Sequence, residues 1–213
     1  MPSGRYTLHD PHDGTVLCEE RFRCAPGPTG WRYVAHRTTP DGAPAGRLDL
    51  ALDDLGRPLR VEAAAGDWQV RGAALDGIRW VRTDPTGEHA REGHAPARAF
   101  TGTSPAFLVA LARLLRPGPG AAARVRLVAL TDPVLAPRTV DQAWSLTSSE
   151  DHHHPDAGTL AVHGYRVDDL ATGESAAVHL TGDVVLAAPG VTLEELDGPP
   201  SAYDTLPLPA VEG

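Results

Sequence analysis

Gly46-Arg47-Leu48-Asp49-Leu50-Ala51-Leu52-Asp53 opens a stretch in which apolar and polar residues alternate, with little interruption, as far as Thr83. Successive side chains of an extended chain point to opposite sides, so Leu48, Leu50 and Leu52 share one face while Arg47, Asp49 and Asp53 share the other. After Gly56-Arg57-Pro58 the pattern resumes, with Leu59, Val61 and Ala63 opposite Arg60 and Glu62. Trp68 and Val70 then stand opposite Asp67, Gln69 and Arg71. This reading predicts half-buried antiparallel strands in a meander of hairpins.

The same pattern extends towards both termini. Strands are expected over residues 5–9, 15–24 and 31–38, separated by turns at Pro11-His12-Asp13-Gly14 and Pro26-Gly27-Pro28-Thr29-Gly30. Asp76-Gly77 lies between two strand-like runs and predicts a tight hairpin with a type I′ turn. Residues 85–96 are polar and aperiodic, which predicts a mobile surface loop. Thr103 or Ser104 can cap a helix near residues 104–116, with Pro105 in its first turn and Phe107, Leu108, Leu111, Leu114 and Leu115 as its apolar stripe. Pro117-Gly118-Pro119-Gly120 stops it, and strands return over 124–129, 139–146, 159–167 and 175–186. The expected architecture is mainly β: a curved antiparallel sheet, β-roll or barrel-like, of two meanders and one helix. Residues 1–190 form a single β-rich domain in this reading, and 191–213 an extended or partly disordered tail rich in Pro and Glu.

Composition removes several function classes. The chain has 213 residues and a formal net charge of −9; all 19 of its basic residues are Arg, Lys and Asn are absent, and Ile78 is the sole isoleucine. These losses share A/T-rich codons, so the Arg content reflects a GC-rich coding sequence before it reflects function. Without Lys there is neither a Schiff base nor a phosphate-loop lysine, and without Asn no N-linked glycan. Scattered basic residues in an acidic chain argue against nucleic acid or an anionic membrane as partner. No apolar run is long enough for a signal peptide or a transmembrane segment, so a cytoplasmic protein is expected. Cys18 and Cys24, about 20 Å apart in one extended run, are too distant for a disulfide and read as buried thiols.

Few residues offer chemistry. Glu20 shares parity with Val16, Cys18, Phe22 and Cys24, which puts a carboxylate on the apolar face; unpaired there it has a raised pKa suited to proton transfer, unless a bulge turns it out or an Arg satisfies it. His163 and His179 lie on neighbouring expected strands, where either could join Asp183 as a general base across one polar face. In Glu150-Asp151-His152-His153-His154 the alternate His152 and His154 could share a metal ion, but the spacing matches no named motif and a solvated turn explains it better. Trp31, Tyr33, Trp68, Trp80 and Trp144 sit in strand-like segments and could line a ligand groove as readily as a core. No nucleophile motif and no cofactor signature is present.

The phrase Leu50-Ala51-Leu52-Asp53-Asp54-Leu55-Gly56-Arg57-Pro58-Leu59-Arg60-Val61, then Asp76-Gly77-Ile78-Arg79-Trp80 and Thr101-Gly102-Thr103-Ser104-Pro105, resembles the spiral β-roll proteins grouped as glycolipid-binding. More distantly it is similar to half-barrel lipoprotein carriers. The resemblance covers the middle third of the chain and implies a sheet wrapped around an apolar or glycolipid-like ligand. The leading expectation is accordingly a cytoplasmic binding protein for such a ligand. Two alternatives stay open: a small β-barrel enzyme using Glu20 or a histidine in acid–base catalysis on a hydrophobic metabolite, and an edge-strand interaction module forming a homodimer.

Overall fold

The two end strands of the chain meet in the middle of its sheet. A computed structural model describes residues 1–27, 30–154 and 158–201. Eight strands come first: β1 (Ser3–His9), β2 (Val16–Gly27), β3 (Gly30–Thr38), β4 (Pro44–Asp53), β5 (Pro58–Ala65), β6 (Trp68–Leu75), β7 (Gly77–Thr83) and β8 (Arg91–Ala95). β9 (Ala99–Gly102) leads into helix α1 (Pro105–Leu115). Six strands follow: β10 (Ala122–Thr131), β11 (Ala136–His154), β12 (Gly158–Asp169), β13 (Ser175–Thr181), β14 (Val184–Ala188) and β15 (Val191–Asp197). All fifteen strands form one sheet in the order β8-β7-β6-β5-β4-β3-β2-β1-β15-β14-β13-β12-β11-β10-β9, antiparallel except for β9 on β10.

The two expected meanders are therefore joined by the β1–β15 ladder, in which Ser3 to Leu8 pair with Asp197 to Val191. The opposite edges, β8 and β9, are separated by only Pro96, Ala97 and Arg98 in the chain, so the sheet must curl for its edges to approach. Phe100 of β9 accordingly reaches across to the Cα of Gly72 on β6, where a Cβ would strike its ring. No ladder joins β8 to β9, so the sheet is an open roll and not a closed barrel.

The alternation has the predicted consequence. Leu48, Leu50, Leu52, Val61, Ala63, Ala65, Val70 and Ile78 are all buried on the inner face, each larger side chain contributing about 2 kcal/mol of transfer free energy. α1 packs inside the roll. Ser104 is its N-cap, accepting from the Ala106 amide at 3.3 Å, and Pro105 occupies the first turn. Of the predicted stripe Phe107 and Leu111 are buried while Leu108, Leu114 and Leu115 are half-buried, and Ala106, Val109 and Ala110 are buried as well. It ends at Arg116, whose backbone is left-handed (φ 40°).

Four expectations are corrected. The Asp76-Gly77 hairpin forms, but only Gly77 has positive φ, and pairing continues to Leu75 with Gly77 so that Asp76 alone stands between the strands, which is not the two-residue loop of a type I′ turn. Part of the polar stretch 85–96 is the edge strand β8, which needs no apolar alternation because it packs at a margin. Val191–Asp197, expected as tail, pairs with both β1 and β14. Leu59 is exposed although it shares parity with Val61, because a register shift opposite Ala51 and Leu52 turns it outward and buries Pro58 instead. The rest of the expected tail, residues 202–213, lies outside the described residues.

Candidate functional site

One inward row of the sheet carries charge. Tyr6, Glu20, Arg37 and Gly46 stand in direct register across β1, β2, β3 and β4. Glu20 is wholly buried and Arg37 is 7% exposed. Glycine at 46 leaves room for the Ala64 carbonyl and for the neighbouring guanidinium, since a Cβ there would lie 2.5 Å from Ala64 O, 3.1 Å from Arg37 Nη2 and 3.3 Å from its Nε.

Three segments distant in sequence complete the cluster. The Tyr33 hydroxyl donates to Glu20 Oε1 at 2.8 Å, and the Ser104 hydroxyl donates to the same oxygen at 2.7 Å while capping α1. Asp132, at the turn after β10, accepts from Arg37 Nη1 at 2.6 Å. Phe22 stacks between Tyr6 and Tyr33, with ring centroids 4.8 and 5.5 Å away, and walls the cluster on its apolar side. Burial pushes the Glu20 carboxyl above its ordinary range. The Ser104 hydrogen bond, Arg37 and Tyr33 pull it back, and Asp132 opposes them. Burial likewise raises the Tyr33 hydroxyl and the Cys18 thiol, so neither is a ready nucleophile.

Three buried atoms of this cluster have no protein hydrogen-bond partner: Glu20 Oε2, Arg37 Nε and Asp132 Oδ1. Leaving such groups unmet costs about 1–3 kcal/mol each. With Glu20 ionised, above its raised pKa, they present an acceptor, a donor and an acceptor. The Asp132 side chain is 27% exposed, so the cluster runs from the helix cap to the protein surface.

Glu20 therefore faces inward as its parity predicts, with Arg37 directly across from it. Arg37 also belongs to a legible set, being the next inward position after Trp31, Tyr33 and Ala35. Ser104 was readable only as a cap, and Asp132, in a turn, carried no signal.

The histidine readings are corrected. His163 lies opposite Leu180, half-buried beside Tyr165, whereas His179 lies opposite Gly164 and is exposed on the other face. A register shift between His179 and Leu180, followed by the turn at Gly182 (φ 54°), takes Asp183 out of the alternation. Asp183 is buried elsewhere in the core, accepting from the Trp31 indole at 3.4 Å and the Ser201 amide at 2.9 Å. The register places neither histidine opposite Asp183. His152 is exposed and pairs with Glu150 at 3.6 Å; the side chain of His154 lies outside the described residues, among which no group of three metal-ligating side chains occurs.

The five aromatic candidates do not make one wall. Trp31 and Tyr33 are buried together, 5.6 Å between centroids, beside the Glu20 cluster. Trp144 is buried in the other half of the sheet, near Tyr165 and donating to Gln142 at 3.1 Å. Trp68 is half-buried under the Arg82 guanidinium, 3.3 Å from the ring centroid, and the Trp80 ring covers Gly93. Two open surface depressions, one beside Val125 and Leu170 and the other beside Trp80 and Gly93, border different residues from the Glu20 cluster.

No protein-family profile matches the sequence, and no curated protein matches it. Among solved structures, a DUF1089 family protein from Pseudomonas aeruginosa superposes with a TM-score of 0.53 over 80% of this chain and 89% of its own, at 18% identity. At that identity the likeness is one of fold: the chain is a β-rich single-sheet protein that resembles a DUF1089 family protein.

Proposed function

We propose that the protein binds an amphipathic ligand, apolar or glycolipid-like, within its curved sheet, and that Glu20, Arg37 and Asp132 hydrogen-bond the ligand's polar end. The observation that carries this reading is the set of three partnerless polar atoms on a mainly apolar inner face, continuous with the surface at Asp132. Their acceptor–donor–acceptor order suits neighbouring hydroxyl groups, which donate to two carboxylates and accept from a guanidinium. An anionic head group is disfavoured, because it would meet two carboxylates for one Arg.

Titration calorimetry with an alkyl glucoside below its micellar concentration tests the reading. Saturable binding is expected, weakened about tenfold or more in Arg37→Met, since a charged hydrogen bond contributes about 1.5–3 kcal/mol. Glu20→Gln should bind with a smaller loss. Absence of binding, or equal binding by wild type and Arg37→Met, contradicts the proposal. Conversion of the probe, abolished in Glu20→Gln, would favour the acid–base enzyme instead.

A further inference from the structure

One turn of the second meander reaches across an end of the roll. β3, β5 and β7 run in the same direction, so their C-terminal ends share one end of the sheet. The turn between β10 and β11, Asp132-Pro133-Val134-Leu135, touches all three of those ends. Asp132 binds Arg37 of β3 at 2.6 Å, and the Val134 carbonyl accepts from Arg82 Nε of β7 at 2.7 Å. Between them the Pro133 carbonyl oxygen lies 3.4 Å from where a Cβ on Gly66, in the turn after β5, would stand. Leu135 then turns inward and is 2% exposed, whereas Val134 beside it is 42% exposed. Glu20, Tyr33, Ser104 and Arg37 are all buried and Asp132 is the most exposed member of their cluster, so the way from solvent to Glu20 leads past this turn.

The seated position carries unfavourable features. Leu135 has a left-handed backbone (φ 48°), which a bulky side chain seldom adopts. Arg37 Nε and Asp132 Oδ1 lack protein partners while the turn is seated, and water can meet both once it lifts. Against these stand the burial of Leu135 and the contacts made by Arg37 and Arg82. The Arg82 guanidinium is already fixed on Trp68, 3.3 Å from the ring centroid, so it holds the Val134 carbonyl with little further loss of side-chain freedom.

We infer that the turn at residues 132–135 is the gate of the inner site, with Leu135 as its plug and Arg82 as its latch. The opening follows from the contacts of the turn alone, and only the identity of what passes through it rests on the ligand reading above.

Two native thiols report the opening. Cys18 lies at this end, close enough to Arg37, Glu20 and Asp132 to feel their charges. Cys24, about 20 Å further along β2, donates to the Asp183 carbonyl at 3.7 Å, and both thiols are buried. Labelling with N-ethylmaleimide, read by peptide mass spectrometry, should modify Cys18 about tenfold faster in Arg82→Met than in wild type and leave the Cys24 rate unchanged. The latch is one hydrogen bond from a charged donor, and labelling tracks the open population. Arg82→Lys, which can still donate to the Val134 carbonyl, should label close to the wild-type rate. An unchanged Cys18 rate in Arg82→Met, or an equal rise at both cysteines, would overturn the inference. Saturating alkyl glucoside should slow Cys18 labelling; a glucoside without effect, with the Cys18 response to Arg82→Met intact, contradicts the ligand reading and leaves the gate standing.

Discussion

Glu20 shows how much a single residue can reveal. Its parity with Cys18, Phe22 and Cys24 is visible in the sequence, and the structure places it at zero exposure. Its distant partners were not visible, because Ser104 is 84 residues away and the Asp132 that holds Arg37 lies 95 residues beyond that arginine. Only the folded topology brings those segments together. The raised carboxyl gives a prediction with a definite sign. Between the ordinary and the raised value the native state holds a proton that the unfolded chain has released, so this contribution to stability is full below the ordinary carboxylate range and is lost as pH rises through the raised value. Denaturant midpoints measured across that interval should therefore fall less steeply in Glu20→Gln than in wild type. Glu20→Ala should lose about 2–4 kcal/mol below the ordinary carboxylate range, and less as pH rises, since it leaves the Tyr33 and Ser104 hydroxyls without their shared acceptor and opens a cavity; a loss under about 1 kcal/mol at low pH would show that the site collapses or hydrates freely.

At the scale of elements, the strands and helix were the legible part, because periodicity of two and of 3.6 residues is a local property. Less legible were features set by neighbours: the loop chemistry after Asp76, the edge strand β8 and the placement of β15. Ser104 ties one element to the site, since its hydroxyl both caps α1 and donates to Glu20. Ser104→Ala should cost about 1–3 kcal/mol, the sum of a lost cap and a lost buried hydrogen bond, whereas Thr103→Ala should cost little; thermal unfolding of both variants checks this. Gly56 marks the seat of the helix on the β4–β5 turn. Its φ is +81°, and a Cβ would lie 2.7 Å from the Leu114 backbone nitrogen, so Gly56→Ala should be destabilising by about 1–3 kcal/mol. Unchanged stability there would mean that helix and turn move apart without penalty.

For the whole molecule, the sequence showed two meanders around one helix but could not show that the first and last strands pair. That ladder makes one sheet of both halves, and the short link from β8 to β9 bends it into a roll. Urea unfolding followed by tryptophan fluorescence and by far-ultraviolet circular dichroism should give coincident transitions, because no gap in the ladder separates Trp31 from Trp144. Separated transitions would show that the halves are independent. The inner face of that roll is apolar apart from a few buried polar groups, and ligand binding at the Glu20 cluster is the central claim drawn from it. Native mass spectrometry of untagged protein, purified without metal resin and then extracted with organic solvent, tests that claim most directly. The account predicts a stoichiometric amphipathic adduct with a hydroxyl-bearing head, lost in Arg37→Met; a bare mass for wild type, before and after incubation with an alkyl glucoside, would contradict it.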